Sequence, residues 1–234
     1  MNSTKNLLKI TGISYLIIFF TAIFANFVAI ENIVVPGNAA ATFENLINNE
    51  LVFRLAILSF IITIIFDVVI AWALWVLLKP VNKNFSLFAA WFRLVHAIVF
   101  AVGLYHLVSI IRISFGDANF YNLSGEQMAS QVLLFFTQFN DTWLIGLIFF
   151  GVHLIALGYL LLRSKLAPKF IGILLYIAGI GYMIDSTAGL LYPNYNEMEM
   201  ISMIIVIIPG VVGELSFTVW LLVKGFSSRP LQYH

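Results

Sequence analysis

The sequence contains no cysteine among its 234 residues. This absence excludes disulfide bonds, thiolate metal sites, covalent attachment of c-type haem and cysteine nucleophiles. Charge is also scarce, since Asp, Glu, Lys and Arg make up 10% of the chain, against about 25% in a typical soluble domain. The net charge of +1 provides no basic face that could follow phosphates, so we expect no nucleic-acid partner.

Several enzyme motifs are missing as well. The sequence has no phosphate-binding glycine loop, no Gly-x-Ser-x-Gly elbow, no dinucleotide fingerprint and no His-Glu-x-x-His zinc helix.

Long hydrophobic runs dominate instead, with 62% hydrophobic residues and a mean hydropathy of +1.00. Each run approaches or exceeds the ~20 residues that cross ~30 Å of hydrocarbon as a helix. The first run is too long for the core of a signal peptide, so we interpret it as a retained helix. The sequence predicts an all-α integral membrane protein, a single domain over 1–234 with the lipid bilayer as its partner. The six predicted transmembrane helices are Ile10–Ile30, Val52–Leu78, Leu87–Ile111, Thr142–Leu162, Phe170–Tyr192 and Met200–Val223.

The charges between the spans predict the orientation. Basic residues collect on one side: Lys5, Lys9, Lys79, Lys83, Arg163, Lys165, Lys169, Lys224 and Arg229. The other side carries Glu31, Glu44, Glu50, Asp117, Glu126, Asp141, Glu197 and Glu199, with only Arg54 and Arg112 against them. Because cytoplasmic loops are enriched in Lys and Arg, we expect both termini in the cytoplasm.

The segment before the fourth span carries a helix start signal. Ser124 and Gln127 form a capping-box pattern that predicts a helix from Gly125. We expect this helix to continue into the fourth span; the alternative is a seventh, interfacial segment over residues 125–141.

Ionisable residues within the spans are the main functional signal, because a charge in hydrocarbon costs roughly 3 kcal/mol or more on insertion scales. At ~1.5 Å per residue, four of them come from four different helices and lie about 14–17 Å from the cytoplasmic edge: Asp67, His96, His153 and Glu214. We expect them to form a polar chamber near the membrane midplane. The candidate ligand-binding residues are Asp67, Arg93, His96, His153, Asp185 and Glu214.

Small residues mark two further features of the spans. Gly172, Gly179 and Ser186 recur every seven residues and predict a seam for close helix packing. Pro209, Gly210 and Gly213 precede Glu214 and predict a helix break there, for which the alternative is a simple proline kink.

Charge balance within the chamber leaves several interpretations open. One positive charge on Arg93 and three negative charges on Asp67, Asp185 and Glu214 give the chamber a formal net charge of −2. Such a charge is unfavourable in a region of low dielectric constant, so either carboxyl groups are protonated or a cation lies among them. Alternatively, Arg93 forms a structural ion pair with Asp67 or Glu214, and the two histidines make interhelical hydrogen bonds. Zinc held by His96, His153 and either Asp67 or Glu214, or haem held by the two histidines, is a further alternative. The sequence requires no cofactor.

Four segments resemble a known family: Phe92–His96, Gly151–Ser164, Ala167–Leu174 and Ala178–Ser186. Together they are similar to the bacterial multi-pass membrane proteins of domain-of-unknown-function family 4386. The resemblance implies a location in the bacterial inner membrane, and it brings no activity, cofactor or site residue.

Three functional hypotheses follow from the residues. The first is a protein that binds or transports a cation, a proton or a small polar ligand at the chamber. The second is an enzyme, either a metal-dependent intramembrane hydrolase or a haem-linked redox protein. The third is a structural or partner-dependent membrane subunit in which every buried charge is simply paired.

Overall fold

The structure is a computed structural model that describes residues 2–116, 123–164, 166–192 and 199–227. Nearly all of these residues are helical, and no strand occurs among them. The helices, in chain order, are α1 (Asn2–Ile23), a π-helical segment (Phe24–Ile30), α2 (Glu31–Ile33), α3 (Ala39–Asn48), α4 (Glu50–Leu78), α5 (Lys83–Phe115), α6 (Gly125–Ser164), α7 (Lys169–Leu191) and α8 (Glu199–Phe226).

Six helices of the described chain are long and apolar enough to cross a membrane, which confirms the predicted all-α membrane protein with six spans. α1, the π-helical segment and α2 are continuous and form the first of them. Many large apolar side chains are exposed along these helices, among them Phe20, Ile98 and Ile184. Such a surface is expected of a protein that lipid surrounds.

The fourth span belongs to a helix longer than the predicted membrane segment, because α6 begins at Gly125 and continues for 40 residues. The predicted capping box forms at its start: Gln127 N donates to Ser124 Oγ at 3.3 Å, and Ser124 N donates to Gln127 Oε1 at 2.9 Å. The helix therefore continues into the fourth span as predicted. The alternative of a separate seventh segment over 125–141 is wrong, because no turn interrupts α6.

The loop after the first span contains a helix that the sequence analysis missed. Asn38 is the N-cap of α3, and its side chain accepts a hydrogen bond from Ala41 N at 3.0 Å. Asn is a favoured N-cap residue, so the start signal was present in the sequence. Thr42 and Leu46, on the inner side of α3, are fully buried.

By its contacts the chain groups into two compact units. Unit 1 comprises residues 1–16, 66–97 and 144–234, and unit 2 comprises residues 17–65 and 98–143. The boundaries fall inside α1, α4, α5 and α6, so these helices continue from one unit into the other. The single domain remains a prediction.

Unit 2 has an aromatic core. Phe60 packs edge to face against Phe100, with ring centroids 5.2 Å apart, and Phe100 packs in the same way against Trp143 at 4.6 Å. Edge-to-face pairs of this kind contribute about 0.5–1.5 kcal/mol beyond their buried area. The described part of unit 2 thus has an apolar core and contains none of the six candidate ligand-binding residues.

Unit 1 is held together by close helix packing through glycine. A Cβ added to Gly158 of α6 would lie 2.6 Å from Gly172 O of α7, and one added to Gly151 would lie 2.6 Å from Gly179 O. The two backbones approach so closely that no side chain fits between them. This confirms the predicted seam at Gly172 and Gly179.

Candidate functional site

Arg93 of α5 lies at the centre of a polar network in unit 1. Its side chain is almost fully buried, and Nη2 donates to Asp67 Oδ1 of α4 at 2.5 Å. Nη1 donates to Tyr15 Oη of α1 at 3.2 Å and to His153 Nε2 of α6 at 3.2 Å. One guanidinium therefore joins four helices, and the ion pair predicted as one alternative for Arg93 is present with Asp67.

His153 has both ring nitrogens engaged. Its Nδ1 lies 2.9 Å from Ala89 O, one helical turn before Arg93. A carbonyl oxygen can only accept, so Nδ1 carries the proton and donates it. Nε2 then accepts from Arg93, whose guanidinium only donates. This arrangement makes His153 a neutral imidazole with its proton on Nδ1.

His96 lies on the same side of α5 as Arg93, three residues further along the helix. Its Nε2 is 3.6 Å from Asp67 Oδ2, whereas Arg93 Nη2 binds the other carboxylate oxygen, Oδ1. Asp67 thus lies between the guanidinium and an imidazole, and its own side chain is buried.

Aromatic rings enclose this network. The Arg93 guanidinium lies 5.0 Å from the ring centroid of Tyr15 and 5.3 Å from that of Phe150, within the range of cation–π attraction. Phe150 also contacts the rings of His96 at 5.0 Å and Tyr182 at 5.6 Å. These rings limit the access of water to the ion pair, which strengthens it electrostatically.

Glu214 of α8 differs from the other acidic residue of the cluster. It is only partly buried, and its carboxylate makes no hydrogen bond or ion pair with any described residue. At about 100° per residue, Gly210, Thr218 and Leu221 lie close to Glu214 on the helix circumference, and all three are buried. Glu214 therefore belongs to the inner face of α8.

Glu214 lies within electrostatic range of the network, because its charge acts on Arg93, Asp67 and Tyr15. Arg93 also keeps one open position: its buried Nε has no acceptor among the described residues. The cluster thus contains the Arg93–Asp67 ion pair, the Glu214 carboxylate without an observed donor, and Arg93 Nε without an observed acceptor among the described residues.

Asp185 of α7 makes no hydrogen bond or ion pair with Arg93, although the sequence analysis grouped it with the other candidates. It is partly buried and is not among the partners of Arg93. Its charge acts on Tyr182, one turn away on α7. The structure therefore brings together Asp67, Arg93, His96 and His153, places Glu214 near them, and leaves Asp185 outside.

The predicted helix break before Glu214 is wrong, because α8 continues through Pro209 without interruption. Proline removes a single backbone donor, and the glycines serve packing instead. A Cβ added to Gly213 would lie 3.2 Å from Leu174 Cβ, and one added to Gly210 would lie 3.1 Å from Tyr182 Oη. Gly210 and Gly213 thus allow α7 to approach α8.

The sequence analysis offered a metal site at His96, His153 and Glu214 as one alternative. Among the described residues, no three His, Asp or Glu side chains come together in a group that could hold a metal ion. Arg93 donates to His153 Nε2, so this nitrogen has no lone pair left for a metal ion. Because the other nitrogen of His153 is bonded to Ala89 O, this imidazole also offers no lone pair to a haem iron.

Three contributors to the site were missed by the sequence analysis: Tyr15, Phe150 and Tyr182. Tyr15 carries the one phenolic hydroxyl of the predicted first span, which was an available signal because buried Tyr hydroxyls usually find a partner. Phe150 and Tyr182 lie in spans rich in similar residues, and nothing in the sequence distinguishes them.

Comparison with known proteins agrees with the resemblance found in the sequence. The model of a family described as a domain of unknown function (DUF4386) matches residues 10–225. An uncharacterized protein of Archaeoglobus fulgidus is 33% identical over 171 residues, which cover 73% of this chain and 83% of the relative. No solved structure matches the chain. The chain therefore belongs to the DUF4386 family of proteins.

Proposed function

We propose that the protein binds a proton, a cation or a small polar ligand at Glu214 and moves it within the membrane. Arg93 and Asp67 supply a fixed pair of charges beside that site. The observation that carries the proposal is the contrast between the two carboxylates: Asp67 is buried and paired, whereas Glu214 is partly accessible and has no partner among the described residues.

The charge count favours a singly charged occupant. Arg93 and Asp67 neutralise each other, and the hydrogen bonds of His153 make it neutral. An ionised Glu214 then leaves a net −1 in a poorly solvated region, which is costly unless it is compensated. A proton or a monovalent cation supplies that compensation, and Arg93 Nε can donate to a polar ligand.

Proteoliposomes loaded with a fluorescent pH indicator test the proposal. An imposed proton gradient is followed in potassium and in sodium buffers, with wild-type protein, Glu214→Gln and Glu126→Gln. Glu126 is an exposed residue of the first turn of α6 and serves as the matched control. We expect wild type and Glu126→Gln to dissipate the gradient and Glu214→Gln to slow this at least tenfold. Equal rates for all three, at equal accumulation, would reject a role for Glu214.

The Arg93 network also favours a structural function as the second candidate. The guanidinium connects α1, α4, α5 and α6 through bonds that lie within the protein. Buried polar groups of this kind are used to fix one helix arrangement in some proteins. On this alternative, Arg93 and Asp67 control stability and Glu214 has no ligand, so the flux of all three proteins would match that of empty liposomes.

The location proposed with this function is the bacterial inner membrane, with both termini in the cytoplasm. Six apolar helices support a multi-pass membrane protein, and the resemblance noted above supports the inner membrane. The basic residues between the spans support the orientation.

A further inference from the structure

A cavity of about 330 Å³ lies at one end of unit 1, away from the Arg93 network. It is formed by the start of α1, the end of α4, the following turn and the end of α6. Its lining residues are Thr4, Leu7, Val76, Leu77, Pro80, Val81, Arg163, Ser164 and Leu166. This volume is within the range of pockets that hold small ligands or headgroups.

All charged residues in the sequence segments around this cavity are basic. Segments 2–9, 76–87, 160–172 and 220–227 contain eight Lys and Arg residues and no Asp or Glu. The end of α8 meets the start of α1 here, because Lys5 Nζ donates to Ser227 O at 2.9 Å. The cavity thus opens between segments whose charged residues are all basic, and such a region attracts anions.

Two polar side chains of the lining are available to a ligand. Arg163 is exposed and has no carboxylate partner among the described residues. Its guanidinium carbon lies 5.5 Å from the centroid of the Tyr159 ring. The Thr4 hydroxyl makes no hydrogen bond with the described chain. A guanidinium and a hydroxyl are donors that suit phosphate oxygens.

Helix termini do not account for this charge. α4 and α6 end at the cavity, and each C-terminus carries about half a negative charge. Together they compensate about one positive charge. Arg163, the charged residue of the lining, has no carboxylate partner among the described residues.

We infer that this cavity binds the phosphate group of an anionic phospholipid. Arg163 and Thr4 hold the phosphate, while Leu7, Val76 and Leu166 contact the apolar part of the molecule. Basic pockets between membrane helices are suited to such headgroups. The apolar lining favours a lipid over free phosphate, because a soluble anion would leave those side chains uncovered.

Native mass spectrometry of the detergent-purified protein tests this inference. Phosphatidylglycerol is titrated against phosphatidylcholine with the same acyl chains, and glycerol phosphate is added separately as a competitor. The variants are Arg163→Gln and Arg112→Gln. Arg112 is a matched control, because it is also an exposed arginine in the last turn of its helix.

We expect phosphatidylglycerol to bind at least tenfold more tightly than phosphatidylcholine, and Arg163→Gln to abolish that preference while Arg112→Gln retains it. Thr4→Val, which keeps the charge, should weaken binding severalfold and covers the case in which Arg163→Gln does not accumulate. Equal binding of the two lipids, or an unchanged preference in both Arg163→Gln and Thr4→Val, overturns the inference. If glycerol phosphate displaced phosphatidylglycerol completely, the inference of a lipid ligand would be wrong and the cavity would be assigned to a soluble phosphate.

Discussion

The Arg93 guanidinium and the Asp67 carboxylate form an ion pair of 2.5 Å in which both side chains are almost completely buried. Two isolated charges in such surroundings would each cost several kcal/mol, and their attraction offsets this only when the geometry is good. Additional bonds from Arg93 to Tyr15 and His153 improve that geometry. The pair is thus a fixed part of the fold, whereas the Glu214 carboxylate makes no hydrogen bond or ion pair with any described residue.

Removing one partner of this pair should destabilise the protein severely. Asp67→Asn or Arg93→Gln leaves an uncompensated buried charge, which costs about 3–5 kcal/mol. The double variant removes both charges and should recover most of that loss. Thermal unfolding in mild detergent, followed by loss of soluble monodisperse protein, measures the three variants.

The Glu50–Arg54 pair provides the control for that experiment, because it has the same chemistry at 2.7 Å with each side chain 43% exposed. Glu50→Gln should cost about 0.2–1 kcal/mol. A double variant Asp67→Asn/Arg93→Gln that is no more stable than the single variants would contradict charge pairing as the cause.

Alanine at the α6–α7 glycine seam should also destabilise unit 1. In Gly158→Ala the new methyl group would meet Gly172 O at 2.6 Å, and that oxygen belongs to the backbone and cannot rotate away. Overpacking of this kind costs about 1–3 kcal/mol. The midpoint of thermal unfolding reports the change.

Gly125→Ala is the matched substitution, since nothing lies within 4 Å of a Cβ at Gly125. It should leave the midpoint unchanged or raise it slightly, because alanine favours a helix more than glycine does. If both alanine variants unfolded at the wild-type temperature, the close approach of α6 and α7 would be wrong.

His153 should be a neutral imidazole protonated on Nδ1 at neutral pH. The carbonyl of Ala89 requires the proton on Nδ1, and the Arg93 guanidinium requires a lone pair on Nε2. Nitrogen NMR of protein labelled at histidine distinguishes the two neutral forms and the cation, and a His153→Gln sample identifies the signal. Protonation on Nε2, alone or in addition to Nδ1, would show that the Arg93–His153 contact is wrong.

The sequence predicted the membrane helices because hydrophobic length is a property of each segment alone. Asp67, His96, His153 and Glu214 were predicted to lie in one layer because the depth along each helix was calculable. Arg93 was predicted as an ion-pair partner of Asp67 or Glu214 because a charge in an apolar span requires a partner. Which of these side chains bond to one another could not be calculated from the sequence. The pairing depends on the rotation of each helix and on the crossing angles between helices. Close contacts outside the site, such as that between Gly158 and Gly172, help to determine both.

The errors have a physical explanation as well. Pro209 and Gly213 indicated a broken helix because their intrinsic helix propensity is low. In the structure, Gly213 instead packs closely against Leu174, which is possible because glycine has no side chain. The metal site at His96, His153 and Glu214 was predicted from residue types alone. Only the three-dimensional arrangement shows Arg93 donating to His153 Nε2.

The most direct test of the account is the reactivity of the two carboxyl groups with an apolar carbodiimide, which enters the membrane and modifies protonated, unpaired carboxyls. Purified protein in mild detergent is treated, digested and mapped by mass spectrometry, with Glu214→Gln as the control. We predict modification at Glu214 and little or none at Asp67, because the Asp67 carboxylate is buried in its ion pair with Arg93. Equal modification of both residues, or modification of Asp67 alone, would contradict the division between a fixed pair and an exchangeable carboxyl.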